Sequence, residues 1–110
     1  MERLRRLLGS DDERGDAREG GVALFVDGPN VLRSEFDVDL DEVRDRAEAA
    51  GRVGVQRLYV DEHATPELMQ AAEARGYEVR VTSGDVDVKL AVDATELVAE
   101  GTIDVLAIAS

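Results

Sequence analysis

Four short apolar runs, rich in β-branched residues, alternate along the chain with segments of helical period, and this alternation limits the fold more than any single motif does. The runs are Val22 to Asp27, Val55 to Asp61, Tyr77 to Val81 and Ile103 to Ala109. Strand and helix in strict alternation predict parallel βαβ units with right-handed crossovers, and so an α/β fold. Between the first two runs, Leu40, Val43, Ala47 and Ala50 give 40–50 one apolar face, with Asp39 as N-cap and Glu42 completing a capping box. Ser34 to Asp37 reads as loop or a single helical turn. Thr65-Pro66-Glu67 starts the next helix with a capping hydroxyl, a proline at the first helical position and an acid in the first turn. Gly76 stops that helix after Arg75. A third helix begins at Asp85 or Asp87 and ends at Glu100 before Gly101, and its stripe Val88, Ala91, Val92, Thr95 and Val98 is expected to face the sheet. On the second strand, Val55, Leu58 and Val60 are the expected core residues.

A chain of 110 residues supports one domain with a modest core, expected over 21–110. Glu2 to Gly9, with Leu4, Leu7 and Leu8 among arginines, could form a short amphipathic turn, while Ser10 to Gly21 is almost purely Asp, Glu, Arg and Gly, with too little apolar content to offset ordering entropy. Residues 1–20 are expected as a flexible charged tail. No segment approaches the roughly 18 apolar residues of a membrane span. The amino-terminal stretch lacks a signal-peptide apolar core, so a cytoplasmic location is expected. The absence of cysteine excludes disulfides, thiolate metal sites and thiol nucleophiles. The formal charge is −12, from 25 acidic against 13 basic residues, and Lys89 is the sole lysine. Such a charge disfavours nonspecific attraction to nucleic acid at low salt. It fits a surface adapted to concentrated salt, where self-repulsion is screened, and points to a halophilic source.

The chemistry-bearing segment is Phe25-Val-Asp-Gly-Pro-Asn30. Asp27 closes an apolar strand, and a turn follows at once. In open α/β sheets that carboxyl rim is where ligands are handled, and a buried carboxylate there needs a cation or donors. Asn30, three residues on, can close an Asx-turn and also serve a ligand. Asp87 opens the 88–99 helix, where N-capping accounts for it about as well as metal binding. Asp93 lies six residues further, about 120° around the helix from Asp87. Lys89, four residues before Asp93, offers it an ordinary helical ion pair. Two or three converging carboxylates would hold Mg²⁺ or Mn²⁺. His63, the only histidine, reads as a loop residue beyond the second strand. No glycine-rich phosphate loop and no serine nucleophile with a base is present, which excludes dinucleotide, P-loop and triad chemistry.

Val22-Ala-Leu-Phe-Val-Asp-Gly-Pro-Asn30, Val86-Asp-Val-Lys-Leu-Ala-Val-Asp-Ala94 and Ile103-Asp-Val-Leu-Ala-Ile-Ala-Ser110 together resemble the NYN domains of the PIN-like nuclease superfamily, which include the LabA-like proteins. The resemblance covers about 22–110. It implies a Rossmann-like three-layer sandwich with a parallel sheet, in the order 3-2-1-4 for the four strands. It further implies a metal-dependent ribonuclease with Asp27, Asn30, Asp87 and Asp93 as catalytic residues, Asp27, Asp87 and Asp93 as the Mg²⁺ or Mn²⁺ ligands, and RNA as substrate. Two departures accompany it. The lysine usual before the valine-aspartate motif is replaced by Gly84 or Asp85, which removes a cation from the phosphate side. The family's Ser-Gly-Asp-x-Asp-Phe run is represented only by Ser110, so one or two acids are expected beyond the end, and the isolated piece is expected to be inactive. An exposed side of the fourth strand invites pairing, so a homodimer is a further expectation. The rival expectation is a regulatory or RNA-binding module without catalysis. A receiver-like domain is disfavoured, since it needs adjacent acids after the first strand and a lysine after the last.

Overall fold

The central strand β2 (Val22–Asp27) is buried along its whole length. In a parallel sheet covered on both faces, a strand loses the polar–apolar alternation of half-exposed strands, and β2 has lost it. The computed structural model describes residues 4–6, 21–32 and 36–110. In chain order the elements are β1 (Leu4–Arg6), β2, the single turn α1 (Gly28–Val31), α2 (Phe36–Glu48), β3 (Val53–Asp61), α3 (Pro66–Ala74), β4 (Glu78–Thr82), α4 (Val86–Glu100) and β5 (Val105–Ala109). The sheet order is β1-β5-β2-β3-β4. The four strands expected from sequence are all parallel and stand in the order 3-2-1-4, as β4-β3-β2-β5.

The sheet divides the interior in two. On one face Val22, Leu24 and Val26 meet Leu40, Val43 and Ala47 of α2 and Ala72 of α3. On the other, Ala23, Phe25 and Tyr59 meet Val86, Leu90, Ala94 and Leu97 of α4. Buried polar contacts fasten these layers. Tyr77 donates its hydroxyl to the Leu40 carbonyl at 2.8 Å, and Gln56 donates to the Arg75 carbonyl at the end of α3, also at 2.8 Å. Thr65 caps α3 as expected, accepting from the Leu68 amide at 3.2 Å. Gly101 ends α4 in the left-handed region at φ 74°, where a side chain would be strained.

Several expectations give way. The helix expected over 40–50 begins at Phe36, so Asp39 lies inside it and is not its cap. The second strand starts two residues early, at Val53, and its deepest side chains include Tyr59 as well as Leu58 and Val60, while Val55 is only half-buried. The face of α4 is rotated. Leu90, Asp93, Ala94 and Leu97 pack inward, while Val88 is 56% and Val92 48% exposed. The mostly small and branched residues on the expected stripe fit a helix packed on a sheet, but Leu90 and Leu97 bring more apolar area and win the interior. Finally, the stretch expected as tail contributes β1, which pairs antiparallel with β5, Leu4 opposite Ala109. A main-chain ladder holds such an edge strand, and side-chain composition does not register it. The flank of β5 away from β2 is therefore paired within the chain, which removes the open edge on which the homodimer expectation rested. Residues 7–20 lie outside the described residues.

Candidate active site

The carboxyl ends of the strands and the start of α4 form one rim. Asp27 ends β2 there, 4% exposed, and the chain turns at once into α1. The turn needs Gly28. A Cβ on it would stand 2.8 Å from the Tyr59 carbonyl oxygen, so only glycine lets α1 sit against β3 and keep Asp27 at the rim. Asp27 does not cap α1 with its side chain. Its Oδ2 instead accepts from Asn30 Nδ2 at 3.1 Å, and the two sequence-nominated residues are thereby in contact. Burial raises the proton affinity of the Asp27 carboxyl. The amide groups of Asn30 pull it back, and the negative charge of Asp87 raises it again. Asp87 is exposed in the first turn of α4, and both acids line a groove with Leu90, Ala94, Leu106 and Ser110. Asp85 precedes α4 but forms no side-chain cap.

Asp93 does not line that groove. It is 5% exposed, and its Oδ2 accepts from the Tyr59 hydroxyl at 2.9 Å and from Arg80 at 3.4 Å. Its Oδ1 meets Lys89 Nζ at 3.2 Å. Burial disfavours its charge, yet the Tyr59 hydroxyl, Lys89 and Arg80 together hold its carboxyl below the usual range. The helical ion pair considered as its ordinary explanation is present, with two further donors. Burial pushes the Tyr59 hydroxyl up to about 12, so it remains a neutral donor to Asp93. Among the described residues, no group of three His, Cys, Asp or Glu side chains gathers to hold a metal ion. Asp27 and Asp87 stand as a pair. His63 sits in the loop after β3, where its amide donates to Asp61 Oδ1 at 2.9 Å.

Sequence reasoning passed over Arg57, Tyr59 and Arg80. Tyr59 is opposite Asp27 on one side and Arg80 on the other, and Arg57 lies 5.1 Å from the Phe25 ring centroid in the next row. The period of two put Arg57 and Tyr59 on one face of their strand. Only the strand order put Tyr59 beside Asp27.

The NYN domain model matches residues 21–110, all but the first twenty residues of the chain. The chain is a member of the NYN domain family. An uncharacterized protein of Methanocaldococcus jannaschii is 40% identical over 107 residues, a match that covers 96% of this chain and 45% of the relative. The chain thus spans less than half the length of that relative. No solved structure matches it significantly. Nucleases of the NYN and PIN-like families generally use divalent metals. No helix among the described residues is long and apolar enough to cross a membrane.

Proposed function

We propose that this NYN domain serves in metal-dependent hydrolysis of RNA phosphodiester bonds. The observation that carries the reading is that a buried carboxylate, Asp27, and a second carboxylate, Asp87, line one groove at the carboxyl rim of the sheet. Such a pair is costly without a cation and suits one. Mg²⁺ is commonly held by one or two carboxylates plus water and substrate phosphate, so two acids are a sufficient protein share. Asp27 and Asp87 would hold Mg²⁺ or Mn²⁺. The ion, when bound, supplies Lewis-acid activation of water and neutralises charge on the phosphodiester. Asn30 fixes the Asp27 carboxylate through its Nδ2 and keeps one oxygen turned toward it. Asp93 is assigned a different task from the one the family resemblance implies. Its two oxygens are engaged by Tyr59, Arg80 and Lys89, so it positions α4, and Asp87 with it, against the strands.

The test is cleavage of a labelled single-stranded RNA in Mn²⁺ at high salt, comparing the protein with its Asp27→Asn variant. A chain extended past Ser110 provides a parallel arm for further acids. We expect a rate loss of at least about 10²-fold, the order found when a charge-stabilising group is removed from an active site. An unchanged rate in Asp27→Asn would defeat the proposal. A second reading, RNA binding without hydrolysis, is favoured by the lack of a third carboxylate among the described residues. It predicts RNA affinity with no turnover in either chain.

A further inference from the structure

The family resemblance leads one to expect a cation before the valine-aspartate motif, where this chain has Gly84 and Asp85, yet three cations gather on β3, β4 and α4. Arg57 Nε binds Glu78 at 3.1 Å, and Arg80 Nε binds the other oxygen of Glu78 at 2.8 Å. Arg80 and Lys89 then share Asp93 at 3.4 and 3.2 Å. Three positive groups therefore share two carboxylates, which leaves a surplus positive charge on a chain whose total is −12. Donors also remain. A guanidinium carries five N–H groups, of which Arg80 spends two here, and an ammonium carries three, of which Lys89 spends one. Both side chains keep solvent access, at 35% for Arg80 and 43% for Lys89.

Their placement relative to the acids is set by strand register. Asp27, Tyr59 and Arg80 form one row across β2, β3 and β4, so Arg80 stands two strand spacings, or about 10 Å, from Asp27. Lys89 follows Asp87 by two residues on α4 and reaches the same carboxylate as Arg80. An RNA strand with one phosphate at Asp27 and Asp87 can lay a neighbouring phosphate along this row.

We infer that Arg80 and Lys89 form a backbone phosphate subsite for single-stranded RNA, held ready by Asp93, Tyr59 and Glu78, and that the strand leaves the acid pair toward the β4 edge. Asp93 and Glu78 keep the two cations aimed at the row instead of leaving them to sweep solvent. Tyr59, wedged between acid and cation, separates the two charges by one strand. This inference rests on the RNA-directed reading above, but not on hydrolysis.

The experiment measures binding of a fluorescein-labelled unstructured RNA by anisotropy as a function of salt in Mg²⁺. The protein carries Asp27→Asn to keep the RNA intact, and cleavage by the otherwise unaltered protein is assayed in parallel. With Arg80→Gln and Lys89→Gln together, binding is expected to weaken several-fold. The slope of log affinity against log salt should fall by about 1.4, at about 0.7 per lost contact on single strands. Lys89→Arg should keep the slope, which a merely structural role would not require. If the double variant does not fold, Lys89→Gln alone should lower the slope by about half that amount. An unchanged slope in a folded variant, or no RNA binding by the parent, overturns the subsite. Expected slopes in the Asp27→Asn protein, with no cleavage by the otherwise unaltered protein, support the subsite and defeat hydrolysis instead.

Discussion

Two buried aspartates on the α4 side of this sheet have their proton affinities shifted in opposite directions, and that contrast organises the site. Asp93 has its carboxyl held low by Tyr59, Lys89 and Arg80. Its contribution to stability is present above the pKa of an unfolded carboxylate and is lost as pH falls through the lower folded value. Asp27 is raised, so its contribution is fully present below the unfolded pKa and is lost as pH rises through the folded one. Asp27→Asn should therefore raise the urea midpoint at neutral pH while weakening Mn²⁺ binding, a combination that misfolding cannot produce. Tyr59→Phe removes a hydrogen bond to an ionised, buried acceptor. It should cost about 1.5–3 kcal/mol at neutral pH and shrink the loss of stability on acidification. Urea titrations across the acid range check both. If Tyr59→Phe unfolds at the parent midpoint, Asp93 is not held as described.

At the scale of elements, the informative case is α4. Its sequence presents two apolar stripes, and residue size decided which one the sheet received. Leu90 is 5% exposed and Val92 48%. Leu90→Ala should cost about 2–5 kcal/mol in denaturant unfolding, whereas Val92→Ala should lie within about 0.5 kcal/mol of the parent. The reverse ranking would restore the stripe expected from periodicity. The same rotation carries Asp93 to the Tyr59 side and leaves Asp87 at the rim, so the angular separation of about 120° read from sequence is realised as two different environments. Helix α3 offers the contrary lesson. Thr65, Pro66 and Gly76 punctuate it locally, and it folds where those residues say. Capping acts within one turn, while the choice of a buried face depends on what lies opposite.

For the whole molecule, the charge of −12 on 110 residues is the dominant long-range term. We propose that it reflects adaptation to concentrated salt, and the thermal midpoint should then rise steadily with KCl as self-repulsion is screened. A flat or falling midpoint would remove that reading. The alternation of apolar runs with capped helical segments settled the α/β class. The resemblance carried by the segments 22–30, 86–94 and 103–110 supplied both the family and the order of the four parallel strands. These are local or motif-level properties, written in spacing and residue type. The tertiary structure decided what depends on neighbours distant in sequence. It paired Leu4–Arg6 with β5, turned α4 on its axis, and set the Asp93 carboxylate against Tyr59, Arg80 and Lys89. A carboxylate's partner is fixed by strand register and helix rotation, and neither is encoded in the few residues around it.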